Sequence, residues 1–155
     1  VESFKPQKNY KNKIIVITGA AHGIGFSLAQ RYAACKAKVV VLDVSEKSLA
    51  TAKQAIPNAH FFQCDITDRK KVYQIAQEIE KNIGIPDYVF NNAGVVENST
   101  FLDCPDEKLE LTMNVNIMGQ FWIAKAFLPM MKKKGGHLCQ VASAAGLMGV
   151  SGLVA

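Results

Sequence analysis

The chain has 155 residues and four cysteines, Cys35, Cys64, Cys104 and Cys139, which stand far apart with no C-x-x-C among them. That spacing gives no zinc ribbon or dithiol motif. Thiols inside or beside apolar runs fit a reduced, intracellular protein with buried cysteines better than a disulfide framework. No segment approaches the roughly 18 consecutive apolar residues of a membrane span, and no signal-peptide pattern opens the chain, so neither is expected within it. A formal net charge of +5 is modest. No basic stripe with interleaved aromatics accompanies it, which leaves nucleic-acid binding without support. Repeats and low-complexity segments are also lacking.

What remains is a globular composition, 49% apolar and 20% charged, long enough for a single domain to bury a core. Residues 1–12 form a polar, basic lead-in, with Lys5, Lys8 and Lys11 around Pro6 and Lys13 just after it. It reads either as a solvated tail or as a juxtamembrane segment facing anionic lipid.

From Ile14 the pattern changes. Four β-branched apolar residues, Ile14 to Ile17, predict a strand buried on both faces, as in parallel sheets. Thr18 and Gly19 break it, Gly23 and Gly25 follow, and the periodicity turns helical through Leu28, Ala29 and Tyr32. A strand that passes through glycines into a helix leaves free backbone N–H groups at the positive end of the helix dipole, a fitting place for a pyrophosphate. Without Cβ atoms, Gly23 and Gly25 allow close approach of phosphate and of the neighbouring strand.

Further strands are predicted at 38–43, 59–64, 87–90 and 137–142. A helix over 46–55 is capped by Ser45 and closed by Pro57. Another is capped by Thr67 or Asp68, puts Val72, Ile75, Ile79 and Ile83 on one face, and stops at Gly84 and Pro86. A long helix starts at Pro105 with Asp106 and Glu107, runs to about Lys133, is disturbed late by Pro129, and ends at Gly135-Gly136. Strand and helix alternate with short connections, the pattern of an α/β, doubly wound parallel sheet of Rossmann type.

In such a sheet the ligand lies beyond the carboxyl ends of the strands, and the conspicuous polar residues fall there. Asp43 closes the second strand, where a carboxylate can accept from both ribose hydroxyls of an adenosine and repel a 2′-phosphate. This favours NAD over NADP. Asp65 closes the third, within reach of an adenine amino group. Asn91-Asn92-Ala93-Gly94 closes the fourth; Asn and Gly there also suit a plain turn.

The residues Thr18-Gly19-x-x-x-Gly23-x-Gly25, the NNAG run at 91–94, Asn114-Val115-Asn116 and Val141-Ala142-Ser143-Ala144-Ala145-Gly146 resemble, in this order, four motifs of the short-chain dehydrogenase/reductase family. The resemblance implies hydride transfer between an alcohol and a nicotinamide. Asn116 would hold a water in a proton relay, and the Ser143 hydroxyl would bind the substrate oxygen. Cofactor contacts are implied for Thr18, Gly19, Ala21, His22, Gly23, Ile24, Gly25, Asp43, Val44, Cys64, Asp65, Ile66, Asn91, Asn92, Ala93 and Gly94. No metal is implied.

The family's base is a Tyr in Tyr-x-x-x-Lys, about 13 residues beyond the Ser, which from Ser143 falls just past Ala155. The one match present, Tyr32 to Lys36, sits at the far end of the first helix and reads as a core residue with a lysine near the C-terminal dipole. These 155 residues are therefore expected to be the amino-terminal part of a dehydrogenase, catalytically dead alone, with later strands and helices of the sheet missing. The other reading is a short product that binds dinucleotide or a partner without catalysis.

The stretch FWIAKAFLPMM at 121–131, with VASAAG and the opening ESFKPQ, is similar to the retinol dehydrogenase and 17-beta-hydroxysteroid dehydrogenase type 11 and 13 group. That implies a lipophilic alcohol as substrate, a homodimer when full-length, and a place on the cytosolic face of the endoplasmic reticulum or a lipid droplet, with an anchor just upstream of Val1. Without such an anchor the protein would be soluble and cytoplasmic.

Overall fold

The computed structural model describes residues 9–152. Five parallel strands, β1 (Ile14–Thr18), β2 (Lys38–Asp43), β3 (His60–Gln63), β4 (Tyr88–Asn91) and β5 (His137–Gln140), form one sheet in the order β3-β2-β1-β4-β5. The central strand β1 is buried at all five positions, as its unbroken apolar run requires.

Successive side chains leave the sheet on opposite faces. Ile14, Val16, Val40, Leu42 and Val89 pack under helices α3 (Arg69–Asn82) and α5 (Gln120–Lys134). Ile15, Ile17, Val39 and Val41 pack under α1 (Gly23–Ala34) and α2 (Glu46–Ala55). Burying each such side chain contributes about 1.5–3 kcal/mol, which makes these two layers the main source of stability.

The caps are local, and the structure places them accordingly. Ser45 accepts from the Ser48 amide at 3.2 Å. Asp68 rather than Thr67 caps α3, its Oδ1 taking the amides of Lys70 and Lys71. The strands β3 and β5 are shorter than their apolar runs, and β4 is displaced by one residue toward Asn91.

The long helix differs from its expectation. It is α4 (Asp106–Met113), then a π-helical segment at Asn114–Gly119, then α5. The irregularity thus falls at Asn114–Gly119, while α5 passes through Pro129 and ends at Gly135, whose φ of +80° favours glycine.

The lead-in also departs from the expected tail at its end. Tyr10 packs edge-on against Tyr32 and Tyr88, and Asn12 donates its amide to the Lys36 carbonyl. The lysines at 5 and 8 lie outside the described residues. All four cysteines are free, yet only Cys64 and Cys104 are buried; Cys35 and Cys139 are half-buried, because each lies at an edge of the packing. No helix among the described residues is long and apolar enough to cross a membrane.

Candidate active site at the strand ends

The parallel register brings Thr18, Asp43, Gln63, Asn91 and Gln140 to one edge of the sheet. Above that edge lies a cleft of about 290 Å³. Of the residues singled out from the sequence, Gly19, His22, Ile24, Asp43, Val44, Cys64, Asp65, Ile66, Asn92, Ala93 and Gly94 line it.

The glycine turn is built for close approach. Gly19 and Gly23 have φ of +61° and +57°, where L side chains are strained. A Cβ on Gly25 would lie 2.4 Å from the Gly19 carbonyl oxygen and 2.6 Å from Nδ2 of the Asn92 side chain, so the turn, the helix and the NNAG loop close only around a glycine. The first-turn amides of Gly23, Ile24 and Gly25 find no acceptor among the described residues. No acidic side chain occupies that turn of α1. A free set of donors at a positive dipole end suits an anion.

Asp43 is 4% exposed. Its two carboxylate oxygens accept one amide each, from Ala21 and Ser45, both at 3.0 Å. Among the described residues no cation pairs with it. An ionised carboxylate has about four acceptor sites, so half of Asp43's capacity remains toward the cleft. Asp65 is exposed, and its Oδ1 takes the Thr67 amide and hydroxyl.

Thr18, Ala21, Gly23, Gly25 and Asn91 do not line the cleft. Thr18 is fully buried, and its hydroxyl accepts the amides of Asn92 and Ala93 at 3.0 Å each. Asn92 returns the contact, donating Nδ2 to the carbonyls of Thr18 and Gly19. Asn91, also fully buried, donates Nδ2 to the Gln120 carbonyl. These side chains shape the loop that forms the cleft wall.

Asn116 sits in the π-helical segment and makes one bond at each end of its amide, leaving a second acceptor site and a second N–H open. Its Oδ1 accepts from the Val95 amide and its Nδ2 donates to the Val95 carbonyl, both at 2.8 Å. The polar residue among apolar neighbours thus has its return: it clasps the NNAG loop to the long helix. Ser143 lies beyond β5 at the same end of the sheet, exposed, and its hydroxyl accepts the Ala145 amide. It does not line the cleft.

Three participants were not among the predicted site residues. Val95 and Val115 line the cleft, and Gln120 donates Nε2 to the Ala93 carbonyl. A single polar residue between Met118 and Phe121, one turn beyond Asn116, was the available signal for Gln120.

Two pKa shifts bear on chemistry. Burial, with Asp65 adding to it, pushes the Cys64 thiol up to about 12, so the cysteine in the cleft wall is no nucleophile. Burial, then Tyr10, pushes Tyr32 up to about 12. Tyr32 packs on Tyr10 and Phe90, away from the cleft, and the shift opposes the one a base needs.

Sheet order, strand-end turn and cleft define an α/β domain of the Rossmann type. Residues 13–155 match the family described as short chain dehydrogenase, and the chain belongs to that family of oxidoreductases. It is 39% identical over 155 residues to epidermal retinol dehydrogenase 2 of Mus musculus, covering 96% of this chain and 50% of that protein. To estradiol 17-beta-dehydrogenase 11 of Homo sapiens it is 38% identical over 156 residues, covering 97% and 52%. The chain spans about half the length of the curated relatives it matches. Among solved structures, NAD+-bound xylitol dehydrogenase superposes with a TM-score of 0.88 at 26% identity, over 94% of this chain and 58% of that one. A short chain dehydrogenase/reductase from Burkholderia phymatum in complex with NAD gives 0.89 at 26% identity, over 94% and 54%.

Proposed function

We propose that this chain is the cofactor-binding part of an NAD-dependent dehydrogenase acting on a lipophilic alcohol, such as a retinoid or steroid. The observation that carries the reading is Asp43, a buried cleft carboxylate with two acceptor sites left and, among the described residues, no cation paired with it. Such a group accepts from a ribose diol and repels a 2′-phosphate. The free amides of Gly23, Ile24 and Gly25 would take the pyrophosphate, and Asp65 the adenine amino group. Asn92, Ala93 and Gly94 would lie along the nicotinamide ribose. When bound, the nicotinamide supplies the hydride acceptor or donor.

The protein's own residues then divide the remaining work. Ser143 is the group to hold the substrate oxygen, and Asn116 the one to organise a water for the proton relay. Within these 155 residues the one Tyr-x-x-x-Lys is Tyr32 to Lys36, whose phenol lies away from the cleft. The chain alone is thus without a competent base and inactive in hydride transfer. The substrate class follows from the names of the similar proteins. A homodimer of the full-length protein is carried over from the family resemblance. A place on the endoplasmic reticulum or lipid droplets rests on the group resemblance.

Calorimetric titration with NAD and NADP tests the reading. NAD is expected to bind at least about tenfold more tightly, and equal or tighter binding of NADP would refute it. Retinal formation from retinol and NAD by the 155-residue chain would overturn the inactivity.

A further inference from the structure

On the helical layer, α3 and α5 part to leave an open groove of about 400 Å³. Its floor is apolar, made by Ala76, Ala126 and Met130. Two alanines on adjoining helices leave the space that larger side chains would fill. Arg69 and Lys125, both exposed, stand at its rim. Among the described residues no carboxylate lines the groove and neither cation makes an ion pair.

Arg69 is held another way. Its guanidinium lies over the Trp122 ring, 5.6 Å from the centroid. A ring face neutralises no charge and leaves the N–H donors at the guanidinium edge free, in the fork that matches a carboxylate or phosphate.

We propose that this groove binds an anionic amphiphile, a long-chain carboxylate or monoalkyl phosphate. Its chain lies along Ala76, Ala126 and Met130, and its head group is taken by Arg69 and Lys125. A free anion would have no use for the apolar floor, and a neutral lipid none for the two unpaired cations. The groove shares no lining residue with the strand-end cleft, so the proposal goes beyond the dehydrogenase reading and stands without it.

Trp122, the only tryptophan of the chain, is a built-in reporter. The 155-residue chain is titrated below micellar concentration with dodecanoate, dodecyl phosphate, dodecanol and inorganic phosphate while Trp122 emission is followed. Both anionic amphiphiles are expected to give a saturable change. The Arg69→Gln/Lys125→Gln double variant should bind them at least about tenfold more weakly. Ala126→Leu, which fills the floor but keeps both cations, should weaken them similarly. Both variants should retain the parent far-UV circular dichroism and affinity for NAD.

Dodecanol binding as tightly as dodecanoate would overturn the proposal, as would inorganic phosphate doing so or unchanged binding by the double variant. A concentration-dependent dimer that excludes dodecanoate would overturn it in favour of a protein interface. Failure of NAD to bind, with dodecanoate binding intact, would count against the dehydrogenase reading alone.

Discussion

Two buried aspartates stand at opposite ends of the sheet, and their surroundings differ in kind. Asp87, 8% exposed, precedes β4 at the amino end. Its Oδ2 accepts the Ile14 amide at 2.9 Å, and its Oδ1 meets the ammonium groups of Lys13 and Lys134 at 3.0 and 3.1 Å. Burial works against its charge, but the Ile14 amide and the two lysines outweigh that and hold the carboxyl below its usual range. Asp43, at the carboxyl end, has two amides and, among the described residues, no cation. The fold neutralises one aspartate with its own lysines and leaves the other to face the cleft. That difference separates a carboxylate the fold has neutralised from one it leaves available, when residue type and burial are the same.

The comparison breaks most sharply at Asp43→Asn. Both oxygens of Asp43 accept obligatory amides, so the NH₂ of an asparagine must confront one of them. We expect a stability loss of about 2 kcal/mol in urea unfolding, together with loss of the NAD over NADP preference in calorimetry. Retained preference would show that the charge of Asp43 does not select the cofactor.

Asp87→Asn is expected to cost less, about 1 kcal/mol. Its Ile14 contact survives on the remaining oxygen, and the two lysines, 46% and 43% exposed, can turn to water. The pH dependence has a definite sign. Because the folded carboxyl lies below its unfolded value of about 3.9, its contribution is complete above that pH and is lost as pH falls through the folded value. Parent and variant stabilities should therefore converge below about pH 4, and NAD affinity should not change. Parallel curves down to acid pH would assign the loss to packing instead.

The smallest effect belongs to Tyr32→Phe. With its phenol pushed up to about 12 and packed among Tyr10 and Phe90, it should titrate only at strongly alkaline pH in ultraviolet absorbance. The substitution should shift unfolding by no more than about 0.5 kcal/mol and leave NAD affinity intact. A larger change in affinity would bring the Tyr32 to Lys36 motif back into the site.

Much of this was legible because it is local. The β-branched runs at Ile14–Ile17 and Val39–Val41 specify buried strands, Ser45 caps the helix after the second of them, and Asp68, one of two caps the pattern offered, starts α3. The glycine turn and Asp43 could be placed for the same reason, since their spacing sets their position at the strand ends.

Other features depend on partners that lie far apart in the chain. Thr18 reads as a cleft residue until the sheet brings Asn92 and Ala93 to its hydroxyl, 74 and 75 positions away. Gln120 has no motif, and its role exists only because the long helix crosses the NNAG loop. The π-helical segment lies where Asn116 clasps Val95. Nothing in the one-dimensional pattern marks the groove between α3 and α5, whose rim pairs Arg69 with Lys125. The sequence alone determined the alternation of strands and helices, the glycine turn and the carboxylates at the strand ends, because backbone preference and hydrophobic period act over a few residues. Only the tertiary structure decided which of those groups face the cleft, which brace its walls and which cations stay unpaired, because hydrogen bonds and charge pairing are settled by neighbours in space.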